Sequence, residues 1–239
     1  MKPESPAMPQ PVLEHALPLI PAGRTTATGI GHRMRLFATM GACALLSGCA
    51  LLGGGGREHA TIYAPDPRIS ADPSWPTVQW QLTLNPATAA RMIDSLRIAV
   101  RPTPGELQVY KGASWAKPPT QMLEDAVLRG LEDSGRIGAV ARQGSGVDGD
   151  YKLVMDLRRF EADYSGATAP AATIEVNAKL LHASERGVVA SRTFLGTRPA
   201  ASTGVADVAA SFDAALGDVA QQIDGWVLAS GQQHEQQPH

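Results

Sequence analysis

The sequence has little of what usually holds a small secreted domain together. Its 239 residues include two cysteines, Cys43 and Cys49, too few for a disulfide framework or a Cys-rich zinc site. Positive charge is not in excess: 21 Lys+Arg against 23 Asp+Glu give a formal charge of −2, which argues against a nucleic-acid partner. No stretch reaches the ~18–20 apolar residues of a membrane-spanning helix. No Gly-x-x-x-x-Gly-Lys-Ser/Thr loop is present, so ATP binding is not expected. No repeat of solenoid period is visible. Against these absences stands a hydrophobic content of 44%, ordinary for a globular domain, which excludes wholesale disorder.

The cysteines divide by position. His32-Arg33-Met34-Arg35 is basic, Leu36 to Leu46 is uncharged, and Leu46-Ser47-Gly48-Cys49 comes next. A basic start, a short apolar run and small residues before a cleavage point form a secretory signal, not a structural helix. The final four residues match a lipobox. Its chemistry needs the Cys49 thiol, which takes a diacylglycerol thioether; cleavage then exposes an amine that is also acylated. Two or three chains anchor a protein stably, whereas one is marginal. The bland alternative, a buried core Cys49, fits the flanking pattern less well. Ala50 in place of Asp favours sorting to the outer membrane, on its periplasmic face. Residues 1–33 are expected to be an over-long gene model or a disordered extension, with 34–48 the signal. Removing them discards Cys43 and leaves a charge of −4 on residues 49–239. No disulfide can then form within the mature chain, so the core must hold by packing.

The mature chain is expected to begin with a linker over 49–75. Gly53 to Gly56 supply a flexible joint, and Pro65, Pro67 and Pro73 stiffen the segment beyond it. A domain over 76–229 comes next. Val78, Trp80, Leu82 and Leu84 alternate with polar residues, and Leu96, Ile98 and Val100 alternate with Arg97, Ala99 and Arg101, which gives two half-buried strands. Leu107–Tyr110 and Ala113–Ala116 are expected to form a short hairpin around Lys111-Gly112. Pro118 and Pro119 open a helix whose apolar face is Met122, Leu123, Ala126, Val127, Gly130 and Leu131, and Gly135 closes it. Ile137–Ala141 is a short strand, succeeded by a Gly-rich loop. Three longer strands then cover 151–161, 173–182 and 188–197, with a hairpin link at Ser184-Glu185-Arg186-Gly187. A last helix spans 205–228, and 230–239 reads as a disordered tail. The pattern predicts an α+β sandwich: a mostly antiparallel sheet of five or more strands, with two amphipathic helices on one face.

Candidate chemistry is sparse. The mature histidines are His59, His182, His234 and His239. A hydrolytic triad would have to join His182 to Ser114 or Ser145 without a Gly-x-Ser-x-Gly elbow, and His182 reads better as a polar strand end. Asp148, Asp150, Asp156, Glu161 and Asp163 cluster in sequence, but the calcium-loop spacing lacks its twelfth-position Glu and turn formation explains the loop acids. No catalytic residue, metal or cofactor is expected beyond the acyl anchor on Cys49. Tyr110 and Trp115 stand near an exposed loop, where aromatics can hold a partner. Trp115 can equally close the core, and its type favours that.

Val109-Tyr110-Lys111, Ser114-Trp115-Ala116-Lys117-Pro118-Pro119, Leu123 and Leu131 together resemble the signature of ABC-type transport auxiliary lipoproteins, which include the paraquat-inducible intermembrane-transport lipoproteins. Tyr151-Lys152-Leu153 with Phe160-Glu161 resembles their long strand. Phe212 to Leu216, Ile223 and Trp226 resemble their closing helix, in which Asn is often found where this chain has Asp213. Lys117 departs from an acidic residue common at its place. In that family a segment near Tyr63 often enters the fold. The resemblance implies a non-enzymatic, lipid-anchored component that works with a mammalian-cell-entry-domain (MCE) protein and an ABC permease and ATPase in moving lipids between membranes, alone or as a homo-oligomer. Two other classes remain open at this point: a structural or assembly lipoprotein, and a periplasmic hydrolase built on His182. A solute receptor would need a two-lobed cleft, for which the domain is too small.

Overall fold

The alternating segment after the Gly-rich loop becomes the spine of the sheet. A computed structural model describes residues 60–185 and 187–237, and these fall in one compact unit. The order is β1 (Thr61–Tyr63), β2 (Val78–Leu84), β3 (Thr88–Ala89), β4 (Arg97–Arg101), β5 (Gln108–Trp115), α1 (Pro119–Ser134), β6 (Ile137–Arg142), β7 (Tyr151–Asp163), β8 (Ala171–His182), β9 (Val188–Pro199) and α2 (Val205–Glu235). The class is α+β, as the pattern implied. Among the described residues, no helix is long and apolar enough to cross a membrane.

One edge of β7 pairs antiparallel with β8 along its whole length, from Tyr151↔His182 to Asp163↔Ala171, and β8 pairs in turn with β9. The other edge is shared. β2 takes Tyr151–Leu153, β3 takes Asp156–Leu157 and β4 takes Ala162–Asp163, all three parallel to β7. β6 extends the sheet beyond β2 and β1 extends it beyond β5, again in parallel. The sheet is therefore mixed, and the expectation of a mostly antiparallel sheet is corrected. Alternation reports which face is buried; it carries no information on the direction of the neighbouring strand.

A bulge resets the pleat of β7. Its register against β8 shifts between Leu157 and Arg159. Before that point Tyr151, Leu153, Met155 and Leu157 are buried; after it the core positions are Phe160 and Ala162. One inserted residue moves every later side chain to the opposite face. The shift brings Phe160 into the core and turns Glu161 to the other side, where it meets arginines.

The helices are built as their caps suggest. Pro119 opens α1 and Gly135 ends it at φ 62°. Its apolar stripe is buried, and it packs on α2 and β6. α2 packs on β8, β9 and α1. Three further expectations are corrected. The hairpin expected at Lys111-Gly112 is one continuous strand, with Gly112 at φ 66° where β5 bulges away from β4. The linker expected over 49–75 is part of the fold from β1 onward. The disordered tail expected from 230 is helical to Glu235.

Candidate functional site

Residues 64–75 form a strap over the helices. Asp66 N–H donates to Asp213 of α2 at 2.7 Å, and Asp66 also pairs with Arg129 of α1. Gln221 donates its side-chain amide to the Ser70 carbonyl at 3.0 Å. The strap advances in step with α2, and two helix glycines receive it. A Cβ on Gly217 would stand 3.1 Å from Pro67 Cβ, and one on Gly225 would stand 2.5 Å from Trp75 Nε1. Interior helix glycine costs about 1 kcal/mol relative to alanine. Here that cost is offset by burying the strap's apolar side chains, with Trp75 in the core. The composition of 50–75 reads as a tether because the partners of its prolines lie some 150 residues away.

Where the strap leaves β1 it borders a groove of about 490 Å³, lined by Ala64, Pro65, Ala116 and Met122 with charged residues at its rim. Those charges are matched. Lys117 Nζ lies 2.6 Å from Asp125 Oδ2, Arg142 also pairs with Asp125, and Arg129 pairs with Asp66. A groove with an apolar floor and neutralised charges is suited to binding rather than to proton transfer. Close by, Ile62 and Leu96 are exposed large apolar side chains.

The candidate contact residues separate. Trp115 is 1% exposed and sits edge-on to Phe160 and Phe212, at centroid distances of 5.8 and 5.1 Å. It is a core residue and offers no surface to a partner. Tyr110 is partly buried against the core; burial raises its phenol above the ordinary value, with Tyr164 beside it adding to the effect. Cys49 and the signal lie outside the described residues, as does His59.

The proposed hydrolytic residues do not assemble. Ser114 pairs with Arg97 of β4, near the Asp163 end of β7, whereas His182 pairs with Tyr151 at the other end. The intervening length of strand is roughly 25 Å. Ser145 Oγ accepts from Val147 N–H, and His182 Nδ1 faces Ser184 and Glu185 instead. The acidic cluster also disperses. Asp150 accepts from Gln81 N–H at 2.8 Å, and Gly149 approaches Thr83 too closely for any side chain. Glu161 is 0% exposed and accepts a two-pronged contact from Arg101, both at 2.8 Å, plus one from Arg159 at 2.8 Å. Burial opposes its charge, but the two guanidinium groups outweigh that and hold its carboxyl below the usual value. Arg159 also pairs with Asp163. These acids bind the sheet together.

One buried acid was not singled out by the sequence. Asp224 lies on α2 facing Gly130 of α1, where a Cβ could not fit, and neither carboxyl oxygen has a hydrogen-bond partner. Burial raises its carboxyl well above the ordinary value. Its only sequence signal is an acid at a position of the apolar stripe.

The model of one family, described as the ABC-type transport auxiliary lipoprotein component, matches residues 61–224. The crystal structure of a protein from Xanthomonas campestris is 59% identical, with a TM-score of 0.72 over 74% of this chain and 100% of that one. A solved structure of an uncharacterized protein shares the fold at 14% identity and a TM-score of 0.52, covering 66% of this chain and 97% of its own. An uncharacterized protein of Bradyrhizobium diazoefficiens is 25% identical over 178 residues, 74% of this chain but 47% of the relative, so the chain spans about half the length of that curated relative. The family match starts at β1 and takes in the strap, the groove, both β7 ends and most of α2, and on that extent the chain belongs to the family of ABC-type transport auxiliary lipoprotein components.

Proposed function

We propose that the protein is a periplasm-facing lipoprotein of the outer membrane that docks an ABC/MCE-type lipid transport assembly, held by acyl chains on Cys49 and performing no catalysis itself. The observation that carries this reading is the stitching of the anchored segment into the domain. Thr61, where β1 joins β5, comes only twelve residue steps after Cys49. A chain of that length spans at most ~40 Å, so the groove beside β1 stays within that reach of the lipid surface. Ion-paired groove charges and dispersed hydrolytic candidates favour a binding role. The assembly partners would be an MCE-domain protein, a permease and its ATPase; Tyr110, at the partly buried end of β5, is a contact to test among them.

Affinity purification from native membranes tests the reading. MCE and permease proteins are expected to co-purify with the wild type. Cys49→Ser is expected to lose acyl labelling and to move the protein out of the membrane fraction. Repeated purifications that recover only envelope-structural proteins would favour the structural-lipoprotein alternative and sink this one.

A further inference from the structure

The last turn of α2 meets the β8–β9 hairpin at a cluster that composition alone could not announce. His182 closes β8, Glu185 lies in the hairpin turn, and His234 is on the helical segment expected to be disordered. His182 Nδ1 stands 3.6 Å from Glu185 Oε1, and His234 Nε2 stands 3.4 Å from Glu185 Oε2. One ligand atom from each of the three residues lies within 4.8 Å of the others.

The hydrogen bonds fix which nitrogens face inward. Tyr151 Oη donates to Glu235 Oε1 at 2.7 Å, so toward His234 it acts as acceptor. His234 Nδ1, 2.8 Å away, therefore carries the proton, and Nε2 presents its lone pair to Glu185. On the other side, Ser184 Oγ at 3.2 Å and Glu185 N–H at 3.4 Å approach His182 Nδ1, which makes that nitrogen an acceptor as well; both contacts are long, and a cation would displace them from its lone pair. Two imidazole lone pairs and one carboxylate thus converge, a set that gathers around a cation.

We propose that His182, Glu185 and His234 form a binding site for one Zn²⁺ ion, with the fourth position open to water. Zinc bonds of ~2.0–2.1 Å give a tetrahedron whose edges are ~3.3 Å, close to the two spacings to Glu185. Closing the remaining edge requires only a small approach of the two rings, whose centroids are 5.2 Å apart. The donor set of two imidazoles and one carboxylate suits zinc. Tyr151 and Glu235 supply the outer support that ligating histidines usually have, holding the tautomer and the ring plane. The side chain of His234 is 12% exposed and that of Glu185 43%, so an ion has a path in. Occupancy would pin the last turn of α2 to the hairpin. A metal here goes beyond the expectation from sequence, which named none, and the site stands apart from the docking role.

The test uses the full chain purified without a polyhistidine tag, stripped with chelator and titrated with ZnCl₂ by calorimetry, then with Co²⁺. The expected result is one Zn²⁺ per chain at micromolar affinity or tighter, a Zn²⁺-dependent rise in melting temperature, and the strong visible absorption of four-coordinate Co²⁺. His182→Ala and His234→Ala should each weaken binding at least 100-fold. Glu185→Gln, at an exposed turn position that cannot unfold the domain, should weaken it likewise. Tyr151→Phe should weaken it roughly 10-fold, as loss of an outer-shell partner does. His239→Ala should leave it unchanged. Absence of saturable binding by the wild type would overturn the proposal and mark the cluster as a proton-sharing pair of histidines. Binding that survives His182→Ala and Glu185→Gln would overturn it equally.

Discussion

At its Asp163 end, strand β7 is closed by charge; at its Tyr151 end it is closed by rings and a hydroxyl. The first end stacks the Arg101–Glu161–Arg159–Asp163 network beside the Trp115, Phe160 and Phe212 rings. The second sets Tyr151 between Trp80, His182 and His234. Both ends terminate the same strand, yet they differ in what can change them. A buried carboxylate held by two guanidinium groups has one workable state near neutral pH. The imidazole pair faces Glu185 on a hairpin turn, where solvent and solutes reach it. The closed charge network thus lies at the end nearest β1, and the solvent-reachable cluster at the end farthest from it.

That contrast can be broken most severely at the aromatic stack. Trp115→Ala should cost about 4 kcal/mol in urea unfolding, the usual range for emptying a large aromatic site in a core. Glu161→Gln comes next. It leaves two arginines facing a neutral group and should cost about 3 kcal/mol, the lower part of the range for a broken buried pair because the arginines reach solvent. The sign with pH follows from the depressed native carboxyl. Its stabilisation is complete above the unfolded value of 4.5 and is lost as pH falls through the native one, so the gap between wild type and Glu161→Gln should close in acid. Tyr151→Phe, at the other end, should cost only about 1 kcal/mol for its lost hydrogen bonds. Hydrogen exchange should locate the loosening in the last turn of α2 rather than across the sheet. A further effect, read from pH rather than from a lost contact, sits between the ends. Burial raises the Asp224 carboxyl in the folded chain, so native stability should decline as pH rises from the unfolded value of 3.8 toward the native one. Asp224→Asn should flatten that decline in the same unfolding assay.

Much of this arrangement is legible in the sequence, and the failures have physical reasons. The alternation of β7, β8 and β9 and the Pro–Gly bracketing of α1 are local signals, and they locate those elements to within a few residues. Parallel neighbours of β7 leave no local mark, so nothing in the sequence places β2, β3 and β4 beside it. Gly112 reads as a turn because a positive-φ glycine serves a bulge as well as a hairpin. The strap reads as a linker because Pro67 and Trp75 find their seats at Gly217 and Gly225, far along the chain. The tail from Ser230 reads as disordered on its polarity. Its helix is completed by contacts to Tyr151 that composition does not encode, and the His182–Glu185–His234 cluster is hidden with it.

The parallel seam between β1 and β5 also sets how the domain bears load. A pull on the chain ahead of Thr61 would enter the fold there and be carried first by the three residue pairs down to Tyr63↔Trp115. Such a short seam yields before the long β7–β8 ladder does. Once it peels, the strap gives up Asp66 and then Pro67, and the buried Trp75 becomes the next stop. Counted from Cys49, the pulled segment would then lengthen from twelve residue steps to twenty-six, and its maximal span from ~40 Å to ~90 Å. Opening would thus proceed stepwise along the strap, with the buried Trp75 indole as its last hold.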